Sequence, residues 1–218
     1  MLFVGIEIFS SPVLVFLQPQ RRSFSSSKRY RDVFRLVTPK DINALQNYNI
    51  LILYQPDASF KSVFENAKSA DVNTFIITGT NTDFSFLNQY QNVFNFKMSG
   101  QKEDYLAKFN SQFNLFATDN IGFENFPPLQ NTFGTINTTG NIHVLLSSKI
   151  RALETNAPLL AFAENQGKRS AFLLGENIWK WRLQSYIDKQ SFEKFDLLMD
   201  KIIQFLASNS IRKSRSEE

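Results

Sequence analysis

Residues 48–91, YNILILYQPDASFKSVFENAKSADVNTFIITGTNTDFSFLNQYQ, set the fold class. They open with Tyr48–Gln55, a nearly continuous apolar run that stops at Pro56, as is typical of a strand buried on both faces of a parallel sheet. A helix capped by Ser59 is predicted next, because apolar residues recur at helical spacing, as Phe60, Val63, Phe64 and Ala67. A buried strand followed by an amphipathic helix is the first half of a βαβ unit.

The same rhythm repeats at once. Thr74–Thr78 is predicted to be the next buried strand, Gly79 stops it, and Asp83 begins a second helix. Strand, helix, strand and helix in this order are typical of right-handed βαβ units. The pattern therefore predicts an α/β fold of three layers, with helices on both faces of a sheet.

Downstream of these units the pattern is less regular. Asp104–Phe116 is predicted to be helical, and Asn120–Gly140 is predicted to be a long irregular segment around Phe126-Pro127-Pro128-Leu129. Such a segment inside a compact domain is usually functional or covers an edge of the sheet.

Regular structure returns in the last third of the chain. Ile142–Ser147 is predicted to be a strand, and Leu159–Ala163 and Arg169–Leu174 are predicted to form a β-hairpin in which Gly167 supplies a positive φ. The last helix starts near Ser191 and carries one apolar stripe, made of Phe192, Phe195, Met199, Ile202 and Leu206. Residues 211–218 are a polar tail.

The beginning of the chain differs from the rest. The apolar run Leu2–Leu17 contains Glu7 and Pro12 and has no basic residue ahead of it, which favours two short strands, Phe3–Phe9 and Val13–Leu17, over a signal peptide or a membrane span. Positive charge then concentrates in RRSFSSSKRYR, residues 21–31.

The net charge of +4 therefore needs to be divided along the chain. Residues 1–40 hold seven basic and two acidic residues, so the other 178 residues carry a net charge of −1. We treat residues 1–36 as an atypical basic N-terminal segment. No nucleic-acid partner is predicted, because basic and aromatic residues do not alternate on any predicted face. An arm that binds nucleic acid or anionic lipid is the alternative.

Composition excludes several classes of site. The chain has no cysteine and a single histidine, His143, which excludes zinc ribbons, iron–sulfur clusters, disulfides, cysteine nucleophiles and metal sites with two histidines. The glycine-rich phosphate loops GxGxxG and GxxxxGK[ST] and the GxSxG elbow are also missing from the sequence. No small-molecule cofactor and no metal site is predicted.

Few residues remain that could carry catalysis. His143 lies on a predicted strand and is most simply a structural residue. The remaining enzyme hypothesis is a cleft at the carboxyl ends of the strands, formed by Thr80, Glu176 and His143. It requires at least two of these three side chains to converge within hydrogen-bond reach around a concave pocket.

Residues 158–186, PLLAFAENQGKRSAFLLGENIWKWRLQSY, contain both tryptophans of the chain. Trp179 and Trp181 lie next to Arg182, whose guanidinium could stack on an aromatic ring. One hypothesis is an aromatic plug that closes an end of the sheet, in which case truncating either tryptophan destabilises the fold. The other hypothesis is an exposed anchor for a protein partner, a role in which Trp and Arg are favoured.

This segment resembles the class I glutamine amidotransferase-like domains found C-terminal to von Willebrand factor A domains in membrane proteins of Bacteroidota and relatives. The resemblance covers about residues 40–210 and rests on a PLL strand, a G-[KR]-R turn, a G-E-x-[IL]-W-[KR]-W-R motif and a Phe-x-x-Phe helix start. The matching residues are Pro158–Leu160, Gly167–Arg169, Gly175–Arg182 and Phe192–Phe195, with earlier matches at Tyr48–Pro56 and Phe126–Leu129.

The resemblance implies a flavodoxin-like three-layer αβα sandwich over residues 37–210, with a mostly parallel sheet and a C-terminal β-hairpin. It implies signature or interface roles for Gly175, Glu176, Trp179, Trp181 and Arg182. Residues 1–36 do not match the opening strand and helix of the family, so a fragment, a late start site or a disturbed reading frame are all open.

The resemblance also bears on activity. A working amidotransferase carries a cysteine on the sharp turn after a central strand, whereas the matching turn, Ile77–Asn81, has none. We therefore expect a non-catalytic binding or assembly module with a protein partner in the cell envelope, held at the membrane by an upstream region, while this chain alone is soluble. The alternative is a hydrolase or transferase that uses other residues of the same cleft.

Overall fold

The computed structural model describes residues 13–17, 34–37, 48, 50–70 and 72–216, and it describes side chains over 48, 50–70 and 72–208. The strands are β1 (Val13–Leu17), β2 (Phe34–Val37), β3 (Ile50–Tyr54), β4 (Asn73–Thr78), β5 (Phe94–Phe109), β6 (Leu129–Thr138), β7 (Ile142–Ile150), β8 (Leu153–Asn165) and β9 (Lys168–Leu174). The helices are α1 (Lys61–Ser69), α2 (Phe84–Tyr90), α3 (Trp179–Lys189) and α4 (Glu193–Ser216). The predicted strand Phe3–Phe9 and the basic run 21–31 lie outside the described residues.

The described strands form one mixed sheet in the order β2-β1-β3-β4-β9-β8-β7-β5-β6. Only the neighbours β3/β4 and β4/β9 are parallel, and the other pairings are antiparallel. The prediction of a mostly parallel sheet is therefore wrong. Residues 94–174 contain no α-helix that could serve as a crossover, so their strands return along antiparallel paths.

The predicted βαβα run is confirmed as β3, α1, β4 and α2. Every residue of β3 is buried, as a strand in the middle of a covered sheet requires. Asp83 caps α2 by accepting a hydrogen bond from the Phe86 amide. The cap before α1 differs from the prediction, because Asp57 accepts from the Ser59 amide and starts a short 3-10 turn that leads into the helix.

Two apolar clusters lie on opposite faces of the sheet. Alternate residues of β3 face opposite sides: Leu51 and Leu53 pack with α1 and α2, while Ile50 and Ile52 pack with α3 and α4. Helices thus cover both faces, as the α/β alternation predicts.

The middle of the chain departs from the predictions. The helix predicted over Asp104–Phe116 is wrong, because its first six residues belong to the 16-residue strand β5 and residues 110–116 contain no helix. The predicted irregular segment Asn120–Gly140 contains β6. The first part of β5 pairs with β6 and its last four residues pair with β7, so β5 connects the main sheet to a two-stranded extension.

The C-terminal part follows the sequence more closely. β8 and β9 pair antiparallel from Leu160 opposite Leu173 to Asn165 opposite Lys168, with Gln166 and Gly167 in the turn, both at positive φ. α3 was not predicted. Among the described residues, no helix combines the length and apolar character needed to cross a bilayer.

Candidate functional site

The carboxyl ends of β3, β4 and β9 lie side by side, because these three strands are parallel neighbours. Gln55 follows β3 directly, Thr80 lies two residues after β4, and Glu176 lies two residues after β9. This edge is where open α/β sheets commonly bind ligands. We refer to Tyr54, Gln55, Thr80 and Glu176 as the strand-end cluster.

The Glu176 carboxylate is the centre of the strand-end cluster. Its Oε1 accepts hydrogen bonds from the Thr80 amide at 3.0 Å and from the Thr80 hydroxyl at 2.7 Å. Its Oε2 accepts from Gln55 Nε2 at 2.7 Å and from the Tyr54 hydroxyl at 3.4 Å. An ionised carboxylate offers about four accepting positions, so groups of the protein occupy essentially all of them.

Gln55 connects two loops through its side-chain amide. While Nε2 donates to Glu176, Oε1 accepts from the Asn81 amide at 2.8 Å. The residue is 5% exposed and has a φ of 46°, a left-handed conformation that is uncommon outside glycine. Its amide still donates to the Ile77 carbonyl at 2.7 Å, which keeps the end of β3 joined to β4.

Gly79 makes this convergence possible. A Cβ on Gly79 would lie 2.8 Å from Gln55 Cδ and 2.9 Å from Glu176 Cβ, closer than carbon atoms approach without displacement. The Gly79 amide donates to the Thr82 hydroxyl at 2.8 Å, and this fixes the turn after β4. A side chain at this position would separate Gln55 from Glu176.

The first half of β6 lies across the ends of β4 and β9. Asn131, 1% exposed, donates through Nδ2 to the Thr78 hydroxyl at 2.9 Å and to the Leu174 carbonyl at 3.1 Å. The Gln130 and Glu176 backbones exchange hydrogen bonds in both directions. Groups of β6 thus fill space next to the position where a ligand of an open α/β sheet would sit.

Close packing at Gly175 holds β6 in place. A Cβ on Gly175 would lie 2.7 Å from the Leu129 Cβ, so only glycine allows β6 to approach the end of β9 this closely. Tyr105, on β5, donates its hydroxyl to the Thr132 carbonyl at 3.2 Å. Burial, and then the charge of Glu103, raises the pKa of Tyr105 to about 12, so the hydroxyl keeps its proton well above neutral pH.

His143 does not join the strand-end cluster. It lies on β7, opposite Phe162 of β8, which in turn lies opposite Ala171 of β9. Ala171 is three residues before the end of β9, so His143 lies roughly 10 Å back along the strand direction and two strands away. Thr80 and Glu176 meet within hydrogen-bond reach, which is one part of what the enzyme hypothesis requires, and the only histidine of the chain is elsewhere.

The tryptophan motif divides into a buried and an exposed part. Trp181 is fully buried, donates through Nε1 to the Pro127 carbonyl at 2.7 Å, and packs against Phe123 and Phe126. Arg182 forms a two-pronged ion pair with Asp196 at 2.7 and 2.9 Å. Its guanidinium also lies 3.9 Å from the centre of the Phe192 ring.

The other tryptophan lies on the outer surface of α3. Trp179 is 36% exposed, and three further apolar residues of the helix are more exposed than that: Leu183, Tyr186 and Ile187. Trp179, Leu183 and Ile187 follow one another at intervals of four residues, so they share a helix face. The plug hypothesis therefore fits Trp181, whereas Trp179 has the exposure that an anchor needs.

Sequence reasoning selected Thr80 and Glu176 but missed Gln55 and Asn131. Gln55 had a readable signal, since it is the polar residue that ends a buried strand. Asn131 had none, because its position depends on a strand that was predicted as irregular.

Among the described residues, no three His, Asp or Glu side chains lie together as a metal site would require. Comparison with protein-family models, with curated proteins and with solved structures gives no match for the chain.

Proposed function

We propose that this chain is a non-catalytic, flavodoxin-like domain of the glutamine amidotransferase-like kind, and that it serves as a binding or assembly module of a bacterial cell-envelope protein with a von Willebrand factor A domain. Support comes from the parallel strands with helices on both faces, and from the W-K-W-R motif that follows the last of them. The envelope context and the membrane association rest on the resemblance alone.

One observation carries the non-catalytic part. Where an amidotransferase would need a cysteine nucleophile, the turn after β4 presents Thr80, whose hydroxyl donates to a carboxylate that already accepts from three other groups. A carboxylate with its accepting positions occupied is suited to tying loops together and poorly suited to taking a proton from a substrate. Asn131 adjoins this point and fills space that a substrate would use.

The alternative is a hydrolase or transferase in which Thr80 is the nucleophile. Its support is the distance of 2.7 Å between the Thr80 hydroxyl and Glu176 Oε1, which matches a nucleophile beside a base. The two hypotheses differ in what happens to Thr80 Oγ1 when an electrophile is offered.

The test is covalent labelling together with turnover. Purified protein is incubated with glutamine and, separately, with a fluorophosphonate probe, and ammonia release and the mass of the Thr80 peptide are measured. Thr80→Val and Glu176→Gln variants serve as controls. We expect no ammonia release above the variants and no label on Thr80. A labelled Thr80, or ammonia release that both variants lose, would contradict the non-catalytic proposal.

The envelope context is tested separately. The gene is read upstream of the Met1 codon, and native cells are fractionated with an antibody raised against the chain. We expect an in-frame von Willebrand factor A domain with membrane helices, and the chain in the envelope fraction. An isolated reading frame whose product is found only in the cytosolic fraction would contradict this part of the proposal.

A further inference from the structure

The two-stranded extension of the sheet has one closed edge. We call Phe94–Met98 of β5 and Gly134–Thr138 of β6 the β5–β6 ribbon. On the β5 side, the Asn88 side chain accepts from the Phe96 amide and donates to the Phe96 carbonyl, both at 2.8 Å. Gln91 bonds both backbone groups of Phe94 in the same way, at 2.9 and 2.6 Å. Two side-chain amides thus replace a neighbouring strand on this edge.

The other edge of the ribbon is open. In an antiparallel pair, two directly opposite residues either exchange backbone hydrogen bonds or both direct their backbone N–H and C=O groups away from each other. The backbone groups of Phe96 and Phe94 point away from β6, toward Asn88 and Gln91. The backbone groups of their partners on β6, Ile136 and Thr138, therefore point away from β5, toward the opposite edge. By the same alternation, the backbone N–H and C=O groups of Gly134 also point toward this edge. Among the described residues, no group bonds the outward amides and carbonyls of these three residues.

The open edge also lacks the features that prevent strands from adding to an edge. Exposed edge strands are usually protected by lysine, by other charges or by proline. Residues 129–138, LQNTFGTINT, contain no charged residue and no proline, and three of them are threonine. The exposed side chains Thr135 and Asn137 are small and polar. This strand therefore offers a row of unpaired backbone groups without an obstacle to pairing.

We propose that the outer edge of β6 pairs with the same edge of a second copy of this chain, antiparallel and about a two-fold axis at Ile136. In this register Ile136 lies opposite Ile136 of the second copy, and Gly134 lies opposite Thr138. Each of these pairs exchanges two backbone hydrogen bonds, because the N–H and C=O groups of Gly134, Ile136 and Thr138 all point toward the second copy. Thr135 then lies directly opposite Asn137 of the second copy on the exposed face.

A second copy suits this edge for two reasons. A two-fold axis places identical residues near each other, which is unfavourable for charged strands and harmless for one with no charge. Ile136 is half-buried against the apolar cluster beneath α1 and α2, so pairing at Ile136 covers apolar surface that the protomer leaves partly open. The result is one sheet that runs through both copies.

Cysteine cross-linking tests both the contact and its register. The chain has no natural cysteine, so Thr135→Cys and Asn137→Cys each introduce a single thiol. In the proposed register these two positions face each other as a non-hydrogen-bonded pair, with Cα atoms about 4.5 Å apart, which a disulfide can span. We expect a mixture of the two variants to form a disulfide-linked dimer under mild oxidation, and each variant alone to form it at least about tenfold more slowly.

Charge variants give an independent reading by analytical ultracentrifugation. Thr135→Glu with Asn137→Glu places like charges opposite each other, whereas Thr135→Glu with Asn137→Lys places opposite charges there. We expect the wild-type chain to dimerise with increasing concentration, the first pair to weaken the dimer at least about tenfold, and the second pair to retain it. Circular dichroism spectra of both variants that match the spectrum of the wild type show that the monomer fold is intact.

Three results would overturn the proposal. These are a wild-type chain that stays monomeric at about 100 μM, a cross-link that forms equally in the single variants and in the mixture, or a dimer that both charge pairs affect alike. An extended peptide of another protein that binds this edge of a monomeric chain also counts against the second copy as the natural occupant.

Discussion

A single carboxylate holds the ends of three parallel strands together. Glu176, Thr80 and Gln55 are separated by long stretches of sequence and meet only because β3, β4 and β9 are neighbours. The sequence identifies Glu176 and Thr80 as polar residues after buried strands. It cannot show that four donors converge on the carboxylate, because that depends on the neighbours of β9 in the sheet.

Replacing the carboxylate should therefore affect stability. Glu176→Gln keeps the shape but turns one acceptor into a donor, which then faces donors of Thr80 or Gln55. We expect a loss of about 1–3 kcal/mol in the free energy of unfolding, measured by urea denaturation. The matched control is Glu65→Gln, whose carboxylate is exposed and 3.9 Å from Lys61; we expect a change below about 0.5 kcal/mol. Equal changes in the two variants would contradict the role given to Glu176.

The two tryptophans should behave differently. Trp181→Ala removes a buried ring together with its hydrogen bond to Pro127, so we expect a loss of about 3–5 kcal/mol. Trp179→Ala acts at the surface of α3, and we expect a loss below about 1 kcal/mol. Thermal and urea unfolding of both variants measure the difference. The two tryptophans are near neighbours in the sequence, and only the helical geometry of α3 places one ring in the core and the other at the surface. Losses of similar size would argue that Trp179 is also packed.

At the scale of elements, local periodicity was sufficient where strands and helices alternate. β3, α1, β4 and α2 follow directly from apolar runs and helical spacing. It failed in residues 94–138, although Phe94, Phe96 and Met98 alternate with polar residues as a half-buried strand does. The second half of β5 has no such clear alternation, and long-range pairing with β6 and β7 decides its conformation.

The closure of the β5 edge gives a prediction for one element. Asn88→Ala removes the group that bonds both backbone atoms of Phe96, leaving a buried amide and carbonyl without a partner. We expect a loss of about 1–3 kcal/mol in the free energy of unfolding and at least about tenfold faster hydrogen exchange of the Phe96 amide, measured by NMR. Gln89→Ala is the control, because the exposed Gln89 bonds only the Ser85 carbonyl of its own helix. Unchanged exchange at Phe96 would mean that another group protects this edge.

At the scale of the whole molecule, the sheet joins two architectures. Its parallel part, β3, β4 and β9, carries helices on both faces, and β1 and β2 add to it antiparallel beside β3. Beyond β9, an antiparallel part extends from β8 to β6 and returns over the ends of β4 and β9. The alternation in residues 48–91 predicts the first part. The second part closes the edge where parallel sheets usually bind ligands, and no local pattern in the sequence predicts that closure.

Among its described residues, the segment 1–36 contributes β1 and three residues of β2 to this sheet. β1 lies between β2 and β3, although sequence analysis assigns it to the atypical basic segment. Two properties of that segment can therefore be separated by experiment: the positive charge of residues 21–31 and the strand Val13–Leu17. Deleting residues 1–36 removes both at once, so a deletion alone cannot tell whether lost binding reflects lost charge or a damaged sheet.

A charge-neutral variant makes the distinction. Replacing the five basic residues of segment 21–31 with glutamine changes the net charge from +4 to −1 and leaves β1 and β2 as they are. We expect this variant to lose retention on heparin at low salt, because the rest of the chain has no excess of positive charge. Its melting temperature should stay within about 2 °C of the wild type, since β1, β2 and the described core keep their sequence.

Deleting residues 1–36 should lower the melting temperature, unlike the charge-neutral variant. It leaves β3, which is buried along its whole length, at the edge of the sheet without its antiparallel neighbour. We expect a fall of roughly 10 °C in melting temperature, as a loss of a few kcal/mol produces in a chain of this size. Retention on heparin that survives neutralisation would place the anion-binding surface outside residues 21–31. A deletion variant as stable as the wild type would show that β1 is dispensable for the sheet.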